Sequence, residues 1–285
     1  MANLKELRNR IASVSSTMQI TSAMKMVSAA KLKRAQDAII QMRPYAQKLS
    51  HLMSNVNASF DDSENPYAIE RPLNKVLVIP ITSNRGLCGG FNSSVIKRTL
   101  AMASAFDKEG VEVEVYALGK KGREMLAKTL NVVNSDVDAV ATVTFDSAKT
   151  IAEAVMSNYS EGSYDRVVLV YNQFKNAAVQ LLQEETMLPI ASPDSEQSNG
   201  DYIFDPSKAQ LLNELIPSSI KSQMFKALLD SQASEQGARM TAMHKATDNA
   251  TDLRDGLKLK YNKARQAAIT NEILEIVGGA EALNG

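Results

Sequence analysis

The sequence predicts an α/β protein in which a compact α/β domain is inserted between two long helices formed by the ends of the chain. Three observations support this prediction. All eight prolines lie between Pro44 and Pro217, so strong helix breakers are gathered in the middle. Both ends carry side chains at the alternating three- and four-residue spacing of a helical seam. The middle alternates apolar strand-like runs with helical segments.

The first long helix is predicted to begin near Asn3 and to continue to about Asn57. This segment contains no glycine, and only Pro44 interrupts its helical pattern. Its seam follows the a/d spacing of a coiled coil. The seam positions are Leu4, Leu7, Ile11, Val14, Met18 and Thr21.

The last long helix is predicted to follow Pro217, which we expect to divide it from a lead-in at 207–216. The same seam recurs from Met243 to Leu274, with many small or polar members. At about 1.5 Å per residue each helix would measure roughly 80–90 Å. We therefore expect the two helices to pair with each other or with a partner, rather than to bury their stripes on a globular core.

The middle of the chain is predicted to form a small, mostly parallel sheet with right-handed crossovers. Segment 191–200, rich in Ser, Pro, Asp and Asn, is expected to be a loop. We divide the chain into an N-terminal helix (1–60), an α/β domain (61–206) and a C-terminal helix (207–285). The predicted elements are strand 75–81, helix 92–108, strand 111–118, helix 120–130, helix 146–160 and strand 166–171.

A glycine-rich loop, Ser83–Asn92, lies between the first strand and a helix, where Rossmann-type folds hold phosphates. It lacks the G-x-G-x-x-G fingerprint and the Gly-Lys-Ser/Thr ending of a P-loop. We therefore prefer a tight turn that packs the helix against the strand. A Rossmann-like nucleotide-binding enzyme with helical dimerisation arms, holding its nucleotide at Gly86–Asn92, remains the alternative.

The composition limits the classes of function open to the chain. Cys88 is the only cysteine, so no intrachain disulfide can form, and we interpret it as a small buried residue rather than a nucleophile. The two histidines, His51 and His244, lack metal-ligand spacing. No carboxylates assemble into an acid–base couple. We expect no catalytic residue, no metal and no cofactor.

The absence of targeting signals predicts the compartment. No apolar run approaches the ~20 residues of a membrane span, and the N-terminus lacks the apolar region of a signal peptide. We therefore expect a soluble protein on the cytoplasmic side.

Basic residues are concentrated at the N-terminal end although the net charge is zero. Residues 1–60 carry nine Lys and Arg against two Asp and Glu. Lys31, Lys33 and Arg34, called here the basic cluster, are the densest group. A solvated helix face and a docking surface for an acidic partner are both compatible with this excess. The aromatic residues or recognised fold of a nucleic-acid binder are lacking, so we expect no nucleic-acid partner and favour an acidic protein surface.

Three separated segments carry a more specific signal. The first comprises Ile11–Val27 and Lys31–Gln36, and the second is the loop Arg85–Asn92 (RGLCGGFN). The third comprises Ala233–Met243, Ala246–Ala250 and Tyr261–Ala280 (YNKARQAAITNEILEIVGGA). Together they closely resemble the gamma subunit of F-type ATP synthases. The similarity spans both ends and the order of the domains. It implies an antiparallel coiled coil of the end helices, with a Rossmann-like α/β domain inserted between them.

The resemblance implies a central-stalk rotor subunit. The paired helices would stand inside a ring of alternating alpha and beta subunits, and the middle domain would lie beside the epsilon subunit and the c-subunit ring. Proton flow would turn the c ring and the stalk, and ATP would be made on beta; hydrolysis would drive the reverse. The chain would be a non-catalytic, peripheral subunit on the cytoplasmic face of a bacterial plasma membrane, associated with the membrane only through the complex.

Nine residues match family positions that contact beta. The stretch that includes the basic cluster matches one that faces an acidic loop of beta. Arg265 and Gln266 match a pair that hydrogen-bonds a beta loop near the top of the stalk. The nine are Met24, Lys31, Lys33, Arg34, Arg239, Arg265, Gln266, Thr270 and Glu272.

Two further residues, Tyr202 and Asp205, match the segment that touches epsilon and the polar loops of the c ring. The tip Ile273–Val277 is apolar enough to turn against a hydrophobic sleeve. The departures from the family pattern are small: Asn84 stands where Asp is usual, and Ser28 where Ala is usual.

Overall fold

A computed structural model describes residues 4–57, 66–69, 71–190 and 208–284, and the predicted loop 191–200 lies outside these residues. The chain divides into two compact units. The first comprises Met1–Val27 and Met240–Gly285, and the second comprises Ser28–Arg239. Both end helices contribute residues to both units.

The described elements confirm the predicted alternation between two long helices. The predicted strands and helices of the middle are all present, with ends shifted by up to four residues. Strands β3 and β5 and the short α4 were not predicted. The elements are α1 Leu4–Asn57, β1 Lys75–Pro80, α2 Phe91–Lys108, β2 Glu112–Leu118, α3 Lys120–Leu126, β3 Asn131–Asp136, α4 Asp138–Ala141, α5 Phe145–Ser160, β4 Arg166–Phe174, β5 Gln180–Leu188 and α6 Lys208–Asn284.

The sheet of the second unit has the strand order β3-β2-β1-β4-β5. Strands β1 to β4 pair in parallel, and β5 pairs antiparallel with β4. This confirms the mostly parallel sheet. The two missed strands are its edges, which need less apolar surface than central strands. Their sequences, NVVNSD and QLLQEETML, therefore lack a continuous apolar run.

The central strand β1 is buried on both faces of the sheet. Val76 and Val78 join the core that includes Val95 of α2. Leu77 and Ile79 join the larger core on the opposite face, called here the main core, which includes buried residues of α5 and α6. This alternation follows from the two-residue period of a strand. Burial on both faces explains why β1 is an almost uninterrupted apolar run.

Helix α6 passes through Pro217 without a break, so the prediction that Pro217 divides it from a lead-in is wrong. A proline inside a helix removes a backbone hydrogen bond and costs roughly 3 kcal/mol. Packing offsets this cost, because Ile216, Ile220 and Met224 are almost fully buried in the main core. The expectation that the long helices bury no stripe on a globular core is therefore also wrong for this part of α6.

A charged contact ties α6 to the edge strand β5. Lys226 Nζ lies 3.0 Å from Glu185 Oε1, and the Tyr171 hydroxyl donates to the same oxygen at 2.7 Å. Burial alone raises the pKa of Glu185, but these hydrogen bonds and the lysine charge hold that pKa below its usual range. A carboxyl group with a lowered pKa stabilises the fold at neutral pH and loses that contribution on acidification below about pH 4.

In the first unit, α1 and α6 run antiparallel, as the predicted coiled coil requires. Arg8 Nη2 donates to the Tyr261 hydroxyl at 3.0 Å, and Thr247 Oγ1 donates to Thr21 Oγ1 at 2.8 Å. The residue numbers of the contacts thus decrease along α6 as they increase along α1, which is the antiparallel order. Polar contacts of this kind suit a seam with many small or polar members.

Candidate functional site

The loop after β1 occupies the position where ligands bind in Rossmann-like sheets, because the strand order reverses between β1 and β4. Three asparagine side chains hydrogen-bond the backbone around this loop. Asn92 Oδ1 accepts from the Ser83 backbone N–H at 2.9 Å, and Asn84 Oδ1 accepts from the Lys120 N–H at 2.9 Å. Asn172 Nδ2 donates to the Phe91 carbonyl oxygen at 3.0 Å, at the start of α2. This internal bonding favours the tight turn over a nucleotide site.

Cys88 lies within this loop and is only 2% exposed. It packs with Phe91 and Ala238, and Asn92 Nδ2 lies 3.2 Å from its sulfur. The prediction of a small buried residue is therefore confirmed. In the described part of the chain, no three His, Cys, Asp or Glu residues gather closely enough to hold a metal ion.

Arg239 is 8% exposed, and its guanidinium group points inward. Nη1 forms an ion pair with Glu235 one turn earlier on α6, and Nη2 donates to the carbonyl oxygens of Arg85 and Gly86 at 3.1 and 3.4 Å. Sequence reasoning missed Glu235 and Leu87, an exposed apolar residue of the same loop. No sequence pattern indicates that Leu87 has a left-handed backbone, with a φ of +64°. None indicates that Arg239 contacts Arg85 and Gly86, which lie 154 and 153 residues earlier in the chain.

The basic cluster lies on an outward face of α1. Lys31, Lys33 and Arg34 are exposed, whereas Leu32 and Ala35 in the same turn are buried. Lys33 Nζ pairs with Asp37 at 2.8 Å, and among the described residues no carboxylate pairs with Lys31 or Arg34. This face therefore presents uncompensated positive charge.

Four further predicted beta-contact residues lie near the end of α6, in the first unit. Met24 of α1 is half-buried in the same unit. The Arg8–Tyr261 contact sets a register that places Arg265 opposite the first described turn of α1. Residues beyond it have no described α1 segment beside them. The exposed positions are Arg265, Gln266, Thr270 and Glu272.

The apolar tip of α6 is also uncovered in the described chain. Ile273, Leu274, Ile276 and Val277 are 54–67% exposed. A cluster of exposed aliphatic side chains on one short helical stretch is typical of an interaction surface. Tyr202 and Asp205 lie outside the described residues. None of the helices in the described part of the chain combines the length and apolarity that crossing a bilayer requires.

Comparison with known proteins gives full-length matches. The family model described as ATP synthase matches residues 3–283. The ATP synthase gamma chain of Flavobacterium psychrophilum is 59% identical over 288 residues, with all of both chains covered. A chain of the Tetrahymena thermophila mitochondrial ATP synthase central stalk and c ring is 28% identical, with a TM-score of 0.59 over 80% of this chain and 99% of that one. A Euglena gracilis mitochondrial ATP synthase chain, at 23% identity, shares the fold with a TM-score of 0.69 over 98% of this chain and 94% of that one.

Proposed function

This chain belongs to the ATP synthase gamma-chain family, a non-catalytic central-stalk subunit, and on that premise we propose how it works as a rotor. Proton flow turns a ring of c subunits, and the paired end helices turn with it. Their asymmetric surface takes each catalytic beta subunit in turn through its binding states, so that ATP is made on beta. ATP hydrolysis drives the same rotation in reverse and pumps protons.

One observation carries this proposal: in the described chain, the far end of α6 is uncovered. Residues 265–280 are all exposed, and they include both charged side chains and the apolar tip. A free-standing monomer gains nothing from exposing such a stretch, whereas a stalk inside a ring of other subunits would bury it. The part of α6 that belongs to the first unit, residues 240–284, is about 68 Å long at about 1.5 Å per residue, long enough to extend into such a ring.

Contacts with the alpha and beta ring follow from the two exposed surfaces. Met24 and the basic cluster face an acidic loop of beta, where opposite charges favour docking without a deep pocket. Arg265 and Gln266 hydrogen-bond a second beta loop, and Thr270 and Glu272 support the same region. Arg239 is assigned to the beta-facing region through the loop Arg85–Leu87, whose backbone carbonyl groups it bonds.

The α/β unit is proposed to sit at the membrane end of the complex. There, Tyr202 and Asp205 contact the epsilon subunit and the polar loops of the c ring. The chain is a peripheral subunit of a membrane complex, and we place it on the cytoplasmic face of a bacterial plasma membrane. Because α6 belongs to both units, torque on the α/β unit would pass along one continuous helix to the paired helices.

The nucleotide-binding alternative is not favoured. In the crevice after β1, Asn84, Asn92 and Asn172 hydrogen-bond the backbone of Lys120, Ser83 and Phe91, and the full-length relatives are gamma chains.

The test is reconstitution with a tagged chain. We expect the chain to co-purify with alpha, beta, epsilon and c subunits, and complexes in membrane vesicles to pump protons on addition of ATP. Reversing the charge of Lys31 and Arg34 to glutamate should lower pumping severalfold, because it opposes the acidic loop. Reversal of Lys97, an exposed lysine on α2, is the matched control. Stoichiometric ATP binding by the isolated chain, lost on substitution within Gly86–Asn92, would contradict the proposal.

A further inference from the structure

We propose that Arg239 and Glu235 form a clamp that positions the loop Arg85–Leu87, and that Arg239 acts through this loop rather than by touching a partner. The inference deepens the proposed function, on which its biological meaning rests. Arg239 is one of the residues that family similarity assigns to a beta contact. Its side chain is turned into the second unit instead, as the contacts below describe.

The guanidinium of Arg239 uses both of its terminal nitrogens within the chain. Nη1 is paired with Glu235, and Nη2 donates to the carbonyl oxygens of Arg85 and Gly86 at 3.1 and 3.4 Å. The side chains of Arg239 and Glu235 are only 10% and 11% exposed. A buried guanidinium with all of these bonds has little left to offer a partner. Removing either charge would leave the other buried without its counterion.

The loop is held on both sides of Leu87. Leu87 has a φ of +64° and is 65% exposed. A non-glycine residue rarely adopts this left-handed conformation, and it persists only where surrounding contacts hold it. On one side, the Arg85 and Gly86 carbonyls are held by Arg239. On the other, Cys88 is buried against Ala238, the residue next to Arg239 on α6.

Neighbouring residues of α6 thus anchor both ends of a short strained turn, and the turn presents an apolar side chain to solvent. Ser83 strengthens the same anchor, because its hydroxyl donates to the Arg85 carbonyl oxygen at 2.6 Å. An arginine suits this position because its planar fork can bond a carboxylate and two carbonyls at once. A lysine has a single nitrogen and cannot span all three.

Cys88 supplies the test, because it is the only cysteine of the chain and directly follows the clamped loop. The measurement is the rate at which the folded full-length chain reacts with the thiol reagent DTNB. We expect Arg239→Gln and Glu235→Gln to raise this rate about tenfold or more, because the loop opens locally. Arg239→Lys should give an intermediate rate. Arg254→Gln, which removes a guanidinium elsewhere on α6, should react like the wild type.

Urea unfolding of the same proteins separates loop opening from loss of the whole fold. A rise in the thiol reaction rate that exceeds what the measured loss of global stability accounts for supports the clamp. A thiol rate within twofold of the wild type in Arg239→Gln would overturn it, as would a rise that only follows the loss of global stability. Because the isolated chain is used, this result is independent of the proton-pumping assay that tests the proposed function.

Discussion

Replacing Met24 with lysine should lower ATP-driven proton pumping about tenfold while leaving assembly of the complex intact. Met24 lies seven residues before the basic cluster on α1 and is half-buried at the proposed beta-facing surface. A new ammonium group there would form an ion pair with the acidic beta loop, and each rotation step would have to break it. An added barrier of about 1.4 kcal/mol slows a step about tenfold.

Met26 provides the matched control for this prediction. It lies two residues further along the same helix, on a different face, and is 66% exposed. Met26→Lys should pump protons at close to the wild-type rate. The comparison uses inverted membrane vesicles, with ATP hydrolysis and acidification followed together. A rate of ATP-driven pumping that is unchanged in Met24→Lys, or equally lowered in both variants, would refute the proposed contact.

Replacing Gly119 with alanine should destabilise the second unit by about 4 kcal/mol, because two costs add at this position. Gly119 has a φ of +99°, which side chains other than that of glycine rarely tolerate. A Cβ atom there would also overlap the carbonyl oxygen of Thr82 and lie 2.9 Å from its hydroxyl oxygen. The Thr82 oxygen is backbone, so it cannot move aside without disturbing β1.

The same substitution at Gly256 should have the opposite sign. Gly256 lies inside α6, and a Cβ atom there would meet nothing within 4 Å. Alanine is favoured over glycine in an exposed helix interior by up to about 1 kcal/mol. Urea unfolding of the two variants at neutral pH measures both effects. Equal stabilities of the two variants would show that the Gly119 backbone is not constrained as described.

A third substitution pair tests the packing of α6. Ile220→Ala should cost about 3 kcal/mol, because Ile220 is almost fully buried in the main core. Ile269→Ala, on the same helix but 48% exposed, should change stability by less than about 0.5 kcal/mol. If the loss at Ile220 were as small as that at Ile269, α6 would not be part of the core.

Strands and helices with a strong local pattern were predictable. β1 and β4 carry continuous apolar runs because they are buried on both faces, and α2 and α5 show a clear helical period. β3 and β5 were missed because edge strands can be polar on their outer side. Pro217 misled the prediction because its local cost is visible in the sequence, whereas the burial of Ile216 and Ile220 that offsets it is not.

The candidate surfaces were predictable to a similar extent. Charge alone marks the basic cluster, and similarity to gamma subunits marks Arg265 and Gln266. Neither signal indicates the direction in which a side chain points. Arg239 lies in a family motif that predicted a contact residue. Its guanidinium is nevertheless enclosed by Glu235 and the carbonyl groups of Arg85 and Gly86.

By itself, the sequence determined the two end helices, the inserted α/β domain and the family, because breakers, periodicity and motifs act over short stretches of chain. Only the tertiary structure decided that residues 28–57 of α1 and 208–239 of α6 are grouped with the sheet. It also decided that asparagine side chains hydrogen-bond the backbone around the loop after β1 and that Arg239 bonds two carbonyl oxygens of that loop. These features depend on contacts between residues far apart in the chain. The free energy of such a contact arises only when folding has brought both residues together.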